Sequence, residues 1–326
     1  MNRPKVLITR KIPDQGLEMI SERCSVELFD QPFPIPRNVL MEKVIGKDGI
    51  LCLLSDRIDG EVMDAAGPQL RVISNYAVGV DNIDVKEATR RGILVTNTPG
   101  VLREATADLS WALLMSAARR IPESDRYMRQ HRFAGWGPEL MLGYDVYGKT
   151  IGIIGMGDIG TAVAERAKGF SMRILYHNRS RKPNVEKELG AEYVPLDTLL
   201  RESDFVCLHV PLTDQTRHLI GERELGMMKR TAILVNVARG EVVDEAALVR
   251  VLRDRGIAYA GLDVYEHEPK MTPGLERLDN VVLTPHTGSA TYTTRSRMAI
   301  MAAKGLIDGL MGRRPENLVN ANAWKG

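Results

Sequence analysis

Cysteine is scarce in this 326-residue chain, and Cys24, Cys52 and Cys207 are too scattered for a disulfide framework or a metal cluster. Cys52 and Cys207 lie inside apolar runs and read as buried thiols. An excess of either charge is also missing. The 44 basic and 42 acidic residues nearly cancel, so composition carries no footprint for nucleic acid or a membrane surface. No apolar run approaches the ~18 residues of a membrane span. The apolar stretch after Lys5 is too short for a signal peptide, which makes the cytoplasm the expected compartment. Low-complexity tracts and short-period repeats are absent as well. What remains is a chain with room for two domains, each able to bury its own core.

The richest segment runs from Thr150 through Gly155-Met156-Gly157-Asp158-Ile159-Gly160. Apolar residues lead into Gly-x-Gly-x-x-Gly, and a helix is expected over Thr161–Phe170. Gly155 permits a tight strand-to-helix turn, Gly157 lets the backbone approach a pyrophosphate, and Gly160 allows close helix packing. The helix N-terminus offers N–H groups and partial positive charge to phosphates. Arg173–His177 reads as the second strand, whose end carries an Asp or Glu in NAD-binding sites. Asn178 stands there, followed by Arg179, Ser180 and Arg181. Loss of the carboxylate removes repulsion against a 2′-phosphate, and the guanidinium and hydroxyl groups can bind one. The expectation is NADP(H) as preferred cofactor, with NAD(H) as the second choice. The plainer alternative is a solvated basic turn.

Strands are expected at Lys5–Thr9, Gly49–Leu54, Arg71–Tyr76 and Gly92–Thr96, with helices such as Asp14–Arg23 and Gly60–Ala66 between them. A long helix, Ala105–Ala118, and a loop-like segment, 132–146, precede the glycine motif. Further strands are expected at Phe205–Val210, Ala232–Val235, Ala258–Leu262 and Val281–Thr284, then a last helix at Thr293–Met311. Such alternation is the pattern of parallel sheets covered on both faces, an α/β fold. Ligands of these sheets bind beyond the C-terminal strand ends. Arg239, Glu268 and His286 each follow a strand and are expected to converge. Singly, they also read as a turn residue, a cap and a core imidazole.

Several motifs together resemble the NAD(P)-dependent D-2-hydroxyacid dehydrogenases, within them the glyoxylate/hydroxypyruvate reductase branch. These are Leu51-Cys-Leu-Leu-Ser-Asp56, Asn75-Tyr-Ala-Val-Gly-Val-Asp-Asn82, Asn97-Thr-Pro-Gly100, the glycine motif, Asn236-Val-Ala-Arg-Gly240, Gly261-Leu-Asp-Val264 and Pro285-His-Thr-Gly-Ser-Ala290. The resemblance implies two doubly wound parallel-sheet domains with an interdomain active-site cleft. A discontinuous flavodoxin-like substrate domain spans 1–99 plus 289–326. A Rossmann cofactor domain spans 100–288 and includes a dimerisation arm at about 120–148.

The same resemblance assigns roles. Arg239 binds the substrate carboxylate and carbonyl, His286 is the general acid, and Glu268 pairs with the imidazole. Leu54, Ser55, Val78 and Gly79 contact the substrate. Thr106, Val237, Ala238, Asp263, Thr287 and Gly288 contact the cofactor, together with the glycine loop, Arg239 and His286. Trp136 lines the pocket of a partner subunit or packs the dimer. The implied function is NADPH-preferring reduction of small 2-oxoacids, glyoxylate to glycolate and hydroxypyruvate to D-glycerate, by a homodimer without metal, nucleic-acid or membrane partners. A broader D-2-hydroxyacid or phosphite dehydrogenase and a cofactor-sensing corepressor-like protein are the alternatives. Asp158 departs from the pattern by placing a carboxylate in the glycine loop.

Overall fold

Apolar runs in the first hundred residues become a parallel sheet in the computed structural model, which describes residues 3–325. Strands β1 (Lys5–Ile8), β2 (Ser25–Leu28), β3 (Gly49–Cys52), β4 (Val72–Asn75) and β5 (Leu94–Thr96) alternate with helices α1 (Asp14–Arg23), α2 (Arg37–Lys43), α3 (Gly60–Ala66) and α4 (Val85–Arg90). The sheet order is β2-β1-β3-β4-β5, with every neighbouring pair parallel. Side chains alternate across it. Leu7, Ile50, Ile73 and Val95 enter one core, and Val6, Ile8, Leu51 and Val72 the other. Burial on both faces is why these strands read as unbroken apolar runs.

After α5 (Arg103–Ala118) and α6 (Ile121–Arg129) the second sheet begins with β6 (Thr150–Ile154). It continues through α7 (Asp158–Ala167), β7 (Arg173–His177), α8 (Pro183–Leu189), β8 (Glu192–Tyr193), α9 (Leu196–Glu202) and β9 (Phe205–Leu208). Then come α10 (Glu222–Met227), β10 (Ile233–Asn236), α11 (Glu245–Arg253), β11 (Tyr259–Leu262) and β12 (Val281–Leu283), and last the long helix α12 (Tyr292–Leu310). This sheet runs β12-β11-β10-β9-β6-β7-β8. The winding reverses between β6 and β9, the position where such sheets leave a crevice for ligands.

The chain forms two units, Met1–Leu102 with Ser289–Gly326, and Arg103–Gly288. Helix α12 therefore joins the first unit, where Ala299, Ala302 and Leu306 pack with Val6 and Ile20. Gly16 of α1 makes that packing close: a Cβ there would lie 2.6 Å from the Ala299 carbonyl oxygen. No helix among the described residues is long and apolar enough to cross a membrane.

The helix after the glycine motif starts at Asp158 rather than Thr161, and its last three residues, Lys168–Phe170, form a 3₁₀ turn. Asp158 is thus an exposed first-turn acid of α7, where a carboxylate suits the helix dipole. The strand expected to reach Val210 ends at Leu208.

Candidate active site

Within the second unit, β10, β11 and β12 are neighbours, and each delivers one polar residue just beyond its C-terminal end. Arg239 follows β10 in a turn closed by Asn236, whose Nδ2 donates to the Arg239 carbonyl (2.9 Å) and whose Oδ1 accepts from Ala238 N–H (3.0 Å). One guanidinium nitrogen donates to the Ala238 carbonyl at 2.8 Å. Val237 and Ala238 are buried in this turn.

Glu268 follows β11, and its carboxylate meets His286 Nδ1 at 2.8 Å and 3.1 Å. Tyr265 N–H also donates to it, at 3.1 Å. Burial on its own raises the Glu268 carboxyl pKa. The His286 hydrogen bond and charge, the Tyr265 N–H and the Arg239 charge outweigh it, so the net effect is a lowered value. His286 occupies a left-handed backbone conformation, φ 53°, which a non-glycine residue adopts at a cost of about 1–3 kcal/mol. Its N–H donates to the Asp263 and Thr284 carbonyls, 2.9 and 3.1 Å, which hold it there.

Asp263 is 1 % exposed, and both of its oxygens serve the same loop. Oδ1 accepts from the Thr284 hydroxyl (2.6 Å) and Thr287 N–H (2.7 Å), and Oδ2 from Gly288 N–H (2.7 Å). Thr106, buried at the start of α5, faces that loop too: a Cβ on Gly288 would lie 3.4 Å from its methyl group. Tyr265 crosses beneath, its hydroxyl donating to the Thr284 carbonyl at 2.9 Å. Burial, then the charges of Asp263, Glu245 and Glu268, push its phenol up to about 12, so it remains a donor.

The glycine loop lies after β6, at the reversal of the sheet. Gly155 has φ 100°, and a Cβ would stand 2.5 Å from the His209 carbonyl oxygen. Gly157 precedes α7 with no side-chain cap on the helix, and the space where its Cβ would point is open. Uncapped N–H groups beside open space suit a phosphate. Met156 N–H donates to Asn178 Oδ1 at 2.8 Å, which ties the loop to the end of β7. His209, at the end of β9, keeps a buried Nε2 with no partner among the described residues, and burial pushes its imidazole down to about 3. An orphaned polar atom and an open, uncapped glycine turn on the same rim fit a dinucleotide.

Past Asn178, Arg179 and Ser180 are exposed with no partner among the described residues. Arg181 is already engaged, with Glu186 at 2.6 Å. Trp136 is 84 % exposed.

In the first unit, Leu54 and Ser55 lie after β3, and Val78 and Gly79 after β4. Asn97 Nδ2 donates to the Val78 carbonyl (2.8 Å) and Asn75 Nδ2 to the Gly79 carbonyl (2.7 Å). Neither N–H of this turn has an acceptor among the described residues, so two adjacent donors stand ready for an anion. Asn82 links the two loops by donating to the Leu53 and Asp56 carbonyls at 3.0 and 3.1 Å. The roles of Asn75, Asn82, Asn97, Asn236, Tyr265 and His209 were not assigned from sequence. Five of these lie inside or beside the sequence motifs; Asn75 and Asn236 bond to backbone within four residues, whereas the bonds of Asn82, Asn97 and Tyr265 reach distant backbone and leave no local pattern.

Residues 111–288 match the family model of the D-isomer specific 2-hydroxyacid dehydrogenase NAD binding domain. The chain is 57% identical over 322 residues to a glyoxylate reductase of Thermococcus onnurineus, covering 98% of this chain and 96% of that one. It is similar to the crystal structure of the TT0316 protein of Thermus thermophilus, with a TM-score of 0.91, 48% identity and coverage of 97% and 99%. A second solved structure, the NADPH-dependent glyoxylate/hydroxypyruvate reductase of Sinorhizobium meliloti in complex with NADP and malonate, matches with a TM-score of 0.86 and 32% identity, covering 99% and 98%.

Proposed function

The chain belongs to the D-isomer-specific 2-hydroxyacid dehydrogenase family, and from that premise we propose that it reduces small 2-oxoacids, glyoxylate foremost, with a preference for NADPH. It is a nicotinamide-dependent oxidoreductase by family. The observation that carries the substrate chemistry is the contact between Glu268 and His286 Nδ1, 2.8 Å, beside a strand end that presents Arg239.

A nicotinamide cofactor held by the glycine loop would supply hydride to the substrate's carbonyl carbon. The protein's part is to receive the charge that then develops on oxygen. With Nδ1 turned to Glu268, His286 presents Nε2 to the substrate and delivers the proton that completes the hydroxyl group. Glu268 fixes the ring and balances the imidazolium. Arg239 brings a planar pair of donors suited to the adjacent carboxylate and carbonyl oxygens. The N–H groups of Val78 and Gly79 receive the carboxylate, with Leu54 and Ser55 beside it. Thr106, Asp263, Val237, Ala238, Thr287 and Gly288 would shape the nicotinamide end, and the loop from Gly155 to Gly160 would hold the pyrophosphate. In the reverse direction the same His286 takes the proton back.

The preference for NADPH rests on Asn178 and its neighbours. Asn178 supplies no negative charge, and its Oδ1 is already used by Met156 N–H. Since Arg181 is tied to Glu186, Arg179 and Ser180 are the groups assigned to the 2′-phosphate. One charge-assisted bond of about 1.5–3 kcal/mol shifts the preference roughly ten- to a hundredfold. Arg179→Ala is expected to lower the NADPH/NADH ratio of kcat/KM by that factor, and Arg181→Ala to lower it less.

A second copy of the chain is assigned to the face of α6 and the segment after it. Helix α6 buries none of its residues, and Ile121, Met128, Phe133, Trp136, Leu142 and Tyr147 all stand exposed there. Trp136 is assigned to the partner's substrate pocket.

Initial rates of NADPH and NADH oxidation with glyoxylate and hydroxypyruvate test the function. Fast turnover with NADPH supports the reading, and turnover with NADH alone overturns the cofactor assignment. No turnover with either cofactor, against activity on bulkier 2-oxoacids or phosphite, overturns the substrate.

A further inference from the structure

Glu245 opens helix α11 directly after the capping residue Asp244, a setting in which an acid normally faces water. It is instead 1 % exposed. Among the described residues no cation pairs with its carboxylate. Oε1 accepts from Glu266 N–H at 2.9 Å, and Oε2 accepts from the Thr272 hydroxyl at 2.7 Å. One carboxylate thus holds both ends of the loop 266–272, and Glu268 lies between those ends. Glu266 answers in kind: its Oε2 accepts from Glu245 N–H at 3.3 Å, and its Oε1 meets His218 Nε2 at 2.7 Å. Lys270 N–H closes the middle of the loop on the His267 carbonyl at 2.8 Å.

An acid buried without a cation is costly to keep, and burial, followed by the neighbouring Glu266 charge, raises its carboxyl pKa against the hydrogen bonds it receives. An apolar residue or an amide would fill the same space without burying a charge. The carboxylate differs from both in accepting two bonds on opposite sides without presenting a donor of its own.

We infer that Glu245 is a positioning residue for the Glu268–His286 pair, pinning both ends of the loop that aims Glu268 at His286 Nδ1. The inference rests on the catalytic reading of that pair. Glu245 touches neither member; it acts through the loop.

Three variants test it: Glu245→Ala, Glu245→Gln and Thr272→Val. The readouts are kcat and KM with glyoxylate and NADPH, expressed per NADPH-binding site, and the ¹⁵N resonances of the His286 ring in the enzyme without substrate. Loosening the loop misplaces the acid without touching the substrate. Glu245→Ala should therefore lower kcat roughly tenfold or more while KM stays within about threefold. Its His286 Nδ1 resonance should move. Glu245→Gln keeps one acceptor and should recover part of the lost kcat, and Thr272→Val, which removes one of the two bonds, should fall between it and wild type. A residue that only stabilises the fold would lower Tm and leave kcat per binding site and the His286 resonances at wild-type values, and that result overturns the inference. Should Glu245→Ala fail to fold, Glu245→Gln and Thr272→Val decide by the same criteria. A wild-type protein that reduces no 2-oxoacid would refute the catalytic reading instead. The resonances would then judge the loop alone: movement supports the pinning and constancy refutes it.

Discussion

At the scale of single residues, the pair Glu268–His286 separates chemistry from folding. On the mechanism proposed above, His286→Ala removes the proton donor and should lower kcat by about 10²–10⁴-fold, with the circular dichroism spectrum retained. Activity close to wild type would remove His286 from the mechanism. Glu268→Gln keeps the shape and loses the charge, so kcat should fall by about 10–100-fold, the worth of one charge-assisted bond. The lowered carboxyl pKa of Glu268 also predicts a pH dependence. A value depressed in the folded state adds stability above the unfolded-state value, and that stability is lost as pH falls through the lowered one. The Tm difference between wild type and Glu268→Gln should hold from neutral pH down to about 4.3, the ordinary glutamate value, and shrink below it. A difference that shrinks already in mildly acidic buffer contradicts the assignment. No such acid-linked loss belongs to the Gln variant, which has nothing to protonate there.

Among elements, the turn from β6 into α7 makes the sharpest distinction. A Cβ on Gly160 would collide with the Gly155 carbonyl, whereas one on Gly157 meets nothing within 4 Å. Gly160→Ala is therefore expected to lower the Tm of the protein without ligand, by an overpacking cost of about 1–3 kcal/mol. Gly157→Ala should leave that Tm unchanged and, on the proposed function, weaken NADPH binding, measured by fluorescence titration, because the methyl group fills the space assigned to phosphate. Equal Tm losses in both would show the turn to be purely structural. Both glycines were legible in the sequence, since their spacing after an apolar run encodes turn, approach and packing together. Helix α1, Asp14–Arg23, and helix α3, Gly60–Ala66, were readable from their local patterns alone. Other elements were hidden by shortness or by polar composition. Strand β2, Ser25–Leu28, lies at a sheet edge with no residue fully buried, and β8 has two residues. Helix α7 starts three residues earlier than its apolar pattern suggests, because glycine and aspartate suit the first turn without showing periodicity. The strand-end residues Arg239, Glu268 and His286 stood out as polar groups after apolar runs. Glu245 did not, since a first-turn acid looks solvated until the loop 266–272 folds over it.

On the scale of the whole molecule, the element farthest beyond local reading is the C-terminal segment. Nothing in Tyr292–Leu310 itself says that it returns to the sheet formed by residues 5–96, yet the bonds that bind it there are explicit. Ser74 Oγ donates to the Ala302 carbonyl at 2.9 Å, and Arg71 donates to the Leu310 carbonyl at 2.8 Å. Beyond the helix, Asn320 finishes the edge of β5, where Val319 N–H also donates to the Val95 carbonyl at 2.8 Å. Asn320 Oδ1 accepts from Val95 N–H (2.8 Å), and its Nδ2 donates to the Ile93 carbonyl (2.9 Å) and to the Thr89 hydroxyl (3.0 Å). An edge strand left bare exposes unpaired backbone groups, and a side-chain amide with one acceptor and two donors satisfies them without another strand. Asn320→Ala leaves the buried Val95 N–H and Ile93 carbonyl without partners, at a cost of about 1–3 kcal/mol each. Hydrogen exchange followed by mass spectrometry should show faster exchange in peptides covering residues 89–97. Peptides covering Thr150–Ile154 should keep wild-type rates, since that strand belongs to the other unit. Uniform acceleration in both regions would mean that the segment supports the protein as one cooperative body, and unchanged exchange in both would mean that the three bonds contribute nothing at that edge. Acceleration confined to residues 89–97 makes the last residues of the chain a local fastening of the first sheet, which explains how a domain interrupted by 186 intervening residues, Arg103–Gly288, holds together.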